Sequence, residues 1–377
     1  MDRKGAEATT IGGRTGVSWP SMFRVIGGRR DPWSWLLIIA SLPLIVFAAP
    51  RLSSGFDYWP ALALERHVEY GSSFLFAYPL PLYLPFAPLG LLPDPWPQRL
   101  APAICLVLLA WGLWLWGAHR ISVLTAALLS PVGLGVLVNS NFNSAVAIFG
   151  LGLAVWAKRT GHFPLVGLGV ALSLWRPANC LPAIAVLLVS GWRWRDLVTA
   201  ALAGTLFIAP LTALAFLIEP GWVRTYMQLL TIYLGWAGPG PHLLHDAGPI
   251  AYAGAQVAIA VVGIWLLRRR TVAEAAAFSL AMTVMLATVA GAYSGSLALP
   301  AVVLAADDLR YARLPALAGL IGWVLTIVLL RIDFPVGAIA FWFAIQAYPL
   351  LRRRPASHAS AEPSTPALPD QPAWKPA

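Results

Sequence analysis

Long apolar runs alternating with short basic clusters constrain this chain more than any single motif. Apolar stretches of spanning length lie at 34–50, 100–117, 121–138, 197–218, 249–267, 273–290, 314–330 and 334–350. About 20 such residues, wound as a helix, cross the hydrocarbon core of a bilayer. The intervening basic clusters are Lys158-Arg159, Arg193/Arg195, Arg268-Arg269-Arg270 and Arg352-Arg353-Arg354. Basic loops mark the cytoplasmic side of a membrane protein. The pattern predicts an all-α, polytopic membrane protein whose polar chemistry gathers on the opposite, outer face.

Composition excludes the main alternatives. Charged residues make up 11% of the chain and hydrophobic residues 59%, with a mean hydropathy of +0.71. Soluble domains carry about 25% charged residues. The net charge of +10 sits almost wholly at helix ends, where arginines meet anionic lipid. It therefore predicts membrane lipids, and no nucleic acid, as partners. Tryptophans at Trp33, Trp35, Trp192, Trp194 and Trp222 fall near segment ends, as an aromatic belt requires. Cys105 and Cys180 both lie in apolar runs and read as small buried hydrophobes.

Parity orders the segments. Residues 1–33 are expected to form a disordered cytoplasmic N-terminal segment, and 34–50 reads as a signal-anchor with no clean cleavage site. The membrane domain covers 34–350 with about twelve helices, and 351–377 is a disordered, Pro- and Ala-rich cytoplasmic tail. The region 144–190 divides into 144–157, 163–175 and 178–191. The last two pieces are short for full spans and are expected to meet at Arg176 in a cavity below the membrane surface. Segment 297–306 is similarly short. Loops 51–99 and 219–247 are expected outside. Within the first, 75–93 is apolar but holds prolines 79, 81, 85, 88 and 93, so it reads as a membrane-associated or hairpin element unless it spans once.

The candidate chemistry lies in the outer segments. Asp57 follows the first helix and suits either an interfacial cap or the general base of a glycosyl transfer. Glu65 and Glu69 share a face if their loop is helical, which an amphipathic surface helix would also explain. Arg176, within Leu174-Trp175-Arg176-Pro177, is an arginine in apolar surroundings. It suits a phosphate clamp, an intramembrane ion pair or snorkelling to headgroups. Asn139, Asn141 and Asn143 can cap a helix or bind sugar hydroxyls. Tyr58, Tyr78, Tyr293, Ser294, His242 and His245 complete the candidate substrate-binding set. The two histidines and Asp246 have ligand-compatible spacing, but Pro239-Gly240-Pro241 disfavours a helical zinc motif, so no metal is expected. No Walker loop, dinucleotide-binding glycine fingerprint or nucleophile elbow is present, and the glycines suit close helix contacts.

Three stretches carry a resemblance. They are Asp57 beyond the first helix, the run from Phe76-Ala-Tyr-Pro79 to Leu92-Pro93, and the succession Asn141-Phe-Asn143, Lys158-Arg159, Trp175-Arg176-Pro177. Tyr293-Ser-Gly-Ser296 matches a serine-rich turn. In these the chain resembles glycosyltransferase family 87 of the GT-C superfamily, the actinobacterial mannosyltransferases of lipid and lipoglycan assembly. The resemblance implies a GT-C-like multi-helix bundle with an outer-face loop region. It also implies an inverting, metal-independent transfer from a polyprenyl-phosphate sugar donor to a lipid or glycan acceptor, without cofactor. Asp57 would be the base, and Arg176, standing where the family has lysine, would hold the donor phosphate. The family's glutamine in the polar step is replaced by Ser140 or Asn141, and its late serine-proline and His-rich signatures are missing. The rival readings are a transporter or flippase of lipid-linked glycan intermediates and a non-catalytic membrane protein of envelope assembly. Oligomeric state is not legible.

Overall fold

The computed structural model describes residues 79–119, 121–128, 131–138, 140–235, 248–286 and 292–306. The expected helices 34–50, 314–330 and 334–350, the segment 1–33 and the tail 351–377 lie outside them. The described residues form an all-helical bundle without strands. Its α-helices are α1 (Trp96–Trp116), α2 (Ile121–Leu128), α3 (Pro131–Val138), α4 (Phe142–Thr160), α5 (Phe163–Ser173), α6 (Pro177–Val189), α7 (Trp194–Ile218), α8 (Trp222–Gly235), α9 (Gly248–Leu266), α10 (Val272–Leu286) and α11 (Leu299–Ala306). Three 3-10 elements join them: η1 (Leu80–Leu82), η2 (Leu84–Leu91) and η3 (Ala292–Ala298).

Local chemistry sets the boundaries. The Asn141 Oδ1 accepts the Ser144 N–H at 2.8 Å and starts α4. Lys158 and Arg159 in its last turn face the negative end of the helix dipole. Gly161, at φ 77°, closes it in the left-handed conformation. Pro177 takes the first position of α6, where a missing N–H costs nothing, and it bars the preceding Arg176 from helical geometry. Thr271 and Glu274 form a reciprocal capping box ahead of α10: the Glu274 N–H donates to Thr271 Oγ1 at 3.2 Å, and the Thr271 N–H donates to Glu274 Oε2 at 3.0 Å.

Glycines let the central helices meet backbone to backbone. A Cβ on Gly112 of α1 would lie 2.8 Å from the Phe149 backbone, and one on Gly150 would lie 2.7 Å from the Gly169 carbonyl. One on Gly167 of α5 would strike the Ala200 carbonyl of α7. Small residues serve the same purpose where apolar surroundings supply no hydrophobic drive to association. These contacts also fix directions. Gly112 meets Phe149 while Trp116 meets Gly152, so α1 and α4 run parallel. Gly150 meets Ser173 while Gly169 meets Ala154, so α4 and α5 run antiparallel. Val186 of α6 abuts Gly263 of α9, which places both C-terminal ends together. Lys158-Arg159, Arg193/Arg195 and Arg268–Arg270 therefore share one end of the bundle, the basic end. Ser140–Ser144, Trp175-Arg176 and the Glu219–Gly221 turn share the other, the polar end.

The perimeter is apolar. Leu206 and Leu217 on α7 are 75% and 81% exposed, and Ile250 on α9 is 87% exposed. Leaving such side chains in water would forgo about 1.5–3 kcal/mol each, so they fit a lipid surface. Among the described residues two helices are long and apolar enough to cross a membrane: α1, at mean hydropathy 1.7, and α7, at 2.2. The bundle is membrane-associated.

Several expectations change. The single helix expected at 121–138 is two, α2 and α3, the second opening on Pro131, which cannot continue a helix interior. The outer loop expected at 219–247 contains α8, whose Trp222, Tyr226 and Leu229 pack with Leu80 and Ala215. Trp222 is thus an internal anchor and not a belt residue, whereas Trp194 is 76% exposed as a belt residue should be. The helix expected at 144–157 extends through both basic residues to Thr160. The described part of 75–93 is 3-10 helical from Leu80 to Leu91 with a break at Tyr83. The twelve described residues, at about 2.0 Å rise, reach about 24 Å against a core of roughly 30 Å.

Candidate functional site at the polar end

The site begins at the corner between α3 and α4. The Asn141 N–H donates to the Val136 carbonyl at 2.9 Å and the Ser140 N–H to the Leu137 carbonyl at 3.2 Å, the paired bonds of a Schellman turn. Glycine usually occupies the left-handed position of that turn, but here Ser140 holds it at φ 51°. Asn141 closes α3 and caps α4 at once. The corner is tight enough that Ser140, Asn141, Asn143 and Ser144 are all buried.

The break between α5 and α6 supplies the second part. Arg176 is 6% exposed and Trp175 is 2% exposed. Ser173 lies level with Gly150 of α4, about 12 Å short of the start of α4 at 1.5 Å per residue. The Trp175-Arg176 turn is therefore sunk inside the bundle. A guanidinium buried within apolar helices is costly unless it is paired, and such residues commonly mark functional sites.

Phe86 of η2 ties the two parts together. Its ring stacks on Phe142 at 4.4 Å between centroids and meets Trp175 edge-on at 6.3 Å. Leu82, Val146 and Trp175 form a small core beneath it. The proline-rich run thus packs over the polar step and the arginine turn. η3, which holds Tyr293 and Ser294, packs on α3, α4 and α10. The structure therefore gathers Asn141, Asn143 and Arg176 at one end of the bundle. Asp57, Tyr58, Tyr78, Asn139, His242 and His245 lie outside the described residues. Sequence reasoning missed Phe86 and Ser144 as part of this cluster. Ser144 was legible in the Asn-Ser alternation, whereas nothing in the sequence singles out one aromatic of the proline-rich run.

The basic end is built differently. The apolar part of α4 stops at Ala157, and Lys158 beyond it lies over the Trp192 ring at 3.9 Å. Its Nζ donates to the carbonyls of Leu187 at 3.4 Å and Gly191 at 3.3 Å. Burial lowers its pKa from 10.5 to about 8, against an opposing pull from Asp196. This lysine closes the end of α6. Among the described residues no group of three or more His, Cys, Asp or Glu is placed to hold a metal ion. Cys105 and Cys180 are both buried, and neither is in a disulfide.

No protein-family model matches this chain, and neither a curated protein nor a solved structure does.

Proposed function

We propose that the chain is a multi-pass membrane glycosyltransferase of the GT-C type, with both termini cytoplasmic. It moves a sugar, mannose on the family resemblance, from a polyprenyl-phosphate donor to a lipid or glycan acceptor at the outer face. Asp57 is the base that takes the proton of the attacking hydroxyl, and the transfer inverts the sugar centre. Arg176 faces the donor phosphate, for which a guanidinium offers a planar fork of donors.

One observation carries the reading. At the end of the bundle opposite the basic clusters, the polar step 140–144 and Arg176 are buried together under an aromatic from the proline-rich run. A polar recess within an apolar shell suits a substrate with a charged head and a hydrocarbon tail. The test is incubation of membranes holding the protein with radiolabelled polyprenyl-phosphate mannose, followed by analysis of lipid and glycan products. Label should move to a new product with the wild type, while Asp57→Asn should insert and fold but transfer none. Wild-type turnover by Asp57→Asn would remove Asp57 as base. Absence of any labelled product with the wild type, across lipid and glycan acceptors, would remove the activity.

A further inference from the structure

The corner between α3 and α4 holds more hydrogen-bonding capacity than the protein uses. Ser140, Asn141, Asn143 and Ser144 are each at most 2% exposed. Among the described residues, Ser140 Oγ, Asn141 Nδ2, Asn143 Nδ2 and Ser144 Oγ have no hydrogen-bond partner. Buried polar groups are nearly always paired, and each orphan bears its desolvation cost in full. Four orphans within five consecutive residues therefore point to a missing ligand.

Their chemistry narrows that ligand. The Asn141 Oδ1 is already taken by the Ser144 N–H, so only the NH2 of this carboxamide is left. The orphan atom of Asn143 is also an NH2, which donates and cannot accept. The two hydroxyls can donate as well. Asn143 and Ser144 sit on the first turn of the 19-residue α4, with Asn141 at its cap and Ser140 just before it, where free N–H groups and the helix dipole favour negative charge. A sugar hydroxyl would bring its own hydrogen to a place already crowded with donors. A phosphoryl oxygen brings only lone pairs.

We infer that this corner binds a phosphoryl group, whose oxygens accept from the two carboxamides and the first turn of α4, with Arg176 as a counter-charge at the same end. The inference rests on the proposed function in treating the polar end as the substrate site, and it deepens it. It moves Asn141 and Asn143 from the sugar to the anionic half of the donor. The phosphoryl group can belong to a lipid or be free in solution.

Two substitutions separate a ligand role from a purely structural one. Asn141→Asp keeps the capping oxygen, since aspartate is as good an N-cap as asparagine, but replaces the orphan donor with an anionic oxygen. Asn143→Leu keeps the branched heavy-atom shape and deletes an orphan, a change that is close to neutral if the corner only packs. Binding of farnesyl phosphate, inorganic phosphate and farnesol is measured on the full chain in detergent. Farnesyl phosphate should bind the wild type, and farnesol much more weakly. Each variant should lose about tenfold or more in farnesyl phosphate affinity, the loss of one charge-assisted hydrogen bond. Inorganic phosphate that competes at equal affinity supports the phosphoryl site and assigns it to a soluble ligand; failure to compete assigns it to a lipid.

Unchanged affinity in folded Asn143→Leu overturns the inference. So does an Asn141→Asp protein that binds octyl mannoside more tightly while keeping its farnesyl phosphate affinity, because a carboxylate accepts from sugar hydroxyls. Should neither variant fold, farnesol binding as tight as farnesyl phosphate in the wild type still overturns it. The two proposals fail separately. Phosphate binding that responds to these variants, without sugar transfer, removes the proposed activity alone. Sugar transfer with unchanged phosphate affinity in Asn143→Leu removes this inference alone.

Discussion

At the scale of single residues, Ser140 shows how one backbone angle shapes the site. A side chain at φ 51° is held in a conformation that costs an ordinary L-residue roughly 1–2 kcal/mol. Ser140→Gly should therefore raise stability by about 1 kcal/mol, read as a higher melting midpoint in detergent. A lower midpoint would show that the hydroxyl, not the backbone, holds the corner. Arg176→Ala should weaken donor binding by about 1.5–3 kcal/mol or more, and Arg176→Lys should recover only part, because lysine lacks the planar fork. Unchanged affinity of Arg176→Ala for a non-hydrolysable lipid phosphate would separate this residue from the donor. Lys158 gives a prediction in pH. Its pKa falls from 10.5 to about 8 because burial disfavours the charge. Between those values the unfolded chain binds more protons than the folded one, so stability rises with pH across the window. Below pH 8 both states are charged and the full penalty is present. The melting midpoint of the wild type should thus gain on that of Lys158→Met from pH 8 to pH 10.5, and a flat difference would contradict the shift.

At the scale of elements, glycine decides which helices touch. The α5–α7 contact depends on Gly167, where any Cβ strikes the Ala200 carbonyl, and on Gly204 facing it. Gly167→Val should force the two backbones apart and cost about 1–3 kcal/mol, the range of overpacked interiors. Gly254→Ala on α9 is the matching control, because a Cβ there meets nothing within 4 Å. It should leave the melting midpoint unchanged or raised, since alanine favours a helix over glycine. Equal losses in both variants would show that glycine content, not the close approach, matters. The same close approach bears on the site: α5 carries the Trp175-Arg176 turn, so a displaced α5 should also lower donor affinity.

At the scale of the whole molecule, the two ends differ in charge and in depth of polar burial, and this asymmetry predicts orientation. Both native cysteines are buried, so an introduced thiol can be labelled against a low background. Gly221→Cys lies in the exposed turn at the polar end, and Thr160→Cys beside Lys158-Arg159 at the basic end. On intact cells a membrane-impermeant thiol reagent should label the first and spare the second, as the distribution of basic residues requires. Reverse labelling would invert the molecule and place Arg176 and the 140–144 corner on the cytoplasmic side.

Periodicity, charge and proline placement carried much of the fold without a structure. Apolar length marked α1, α7 and α9, and the arginine clusters marked the end at which α4, α6 and α9 finish. Pro177 predicted the break that sinks Arg176, because a proline removes helical freedom from the residue before it. Such signals are local: they act through the backbone of the residues that carry them. Other features depended on residues far apart in sequence. Pro131 is a local mark of the division of 121–138, but nothing local makes a helix of 222–235, because α8 takes its packing surface from Leu80 and Ala215. Asn141 was legible as a helix cap, yet its unused donor becomes visible only once the corner is closed and buried. Phe86 joins Phe142 to Trp175 across long stretches of chain. Local sequence thus set where helices start and stop, whereas burial, which sums contacts from the whole bundle, decided which polar groups were left facing a ligand.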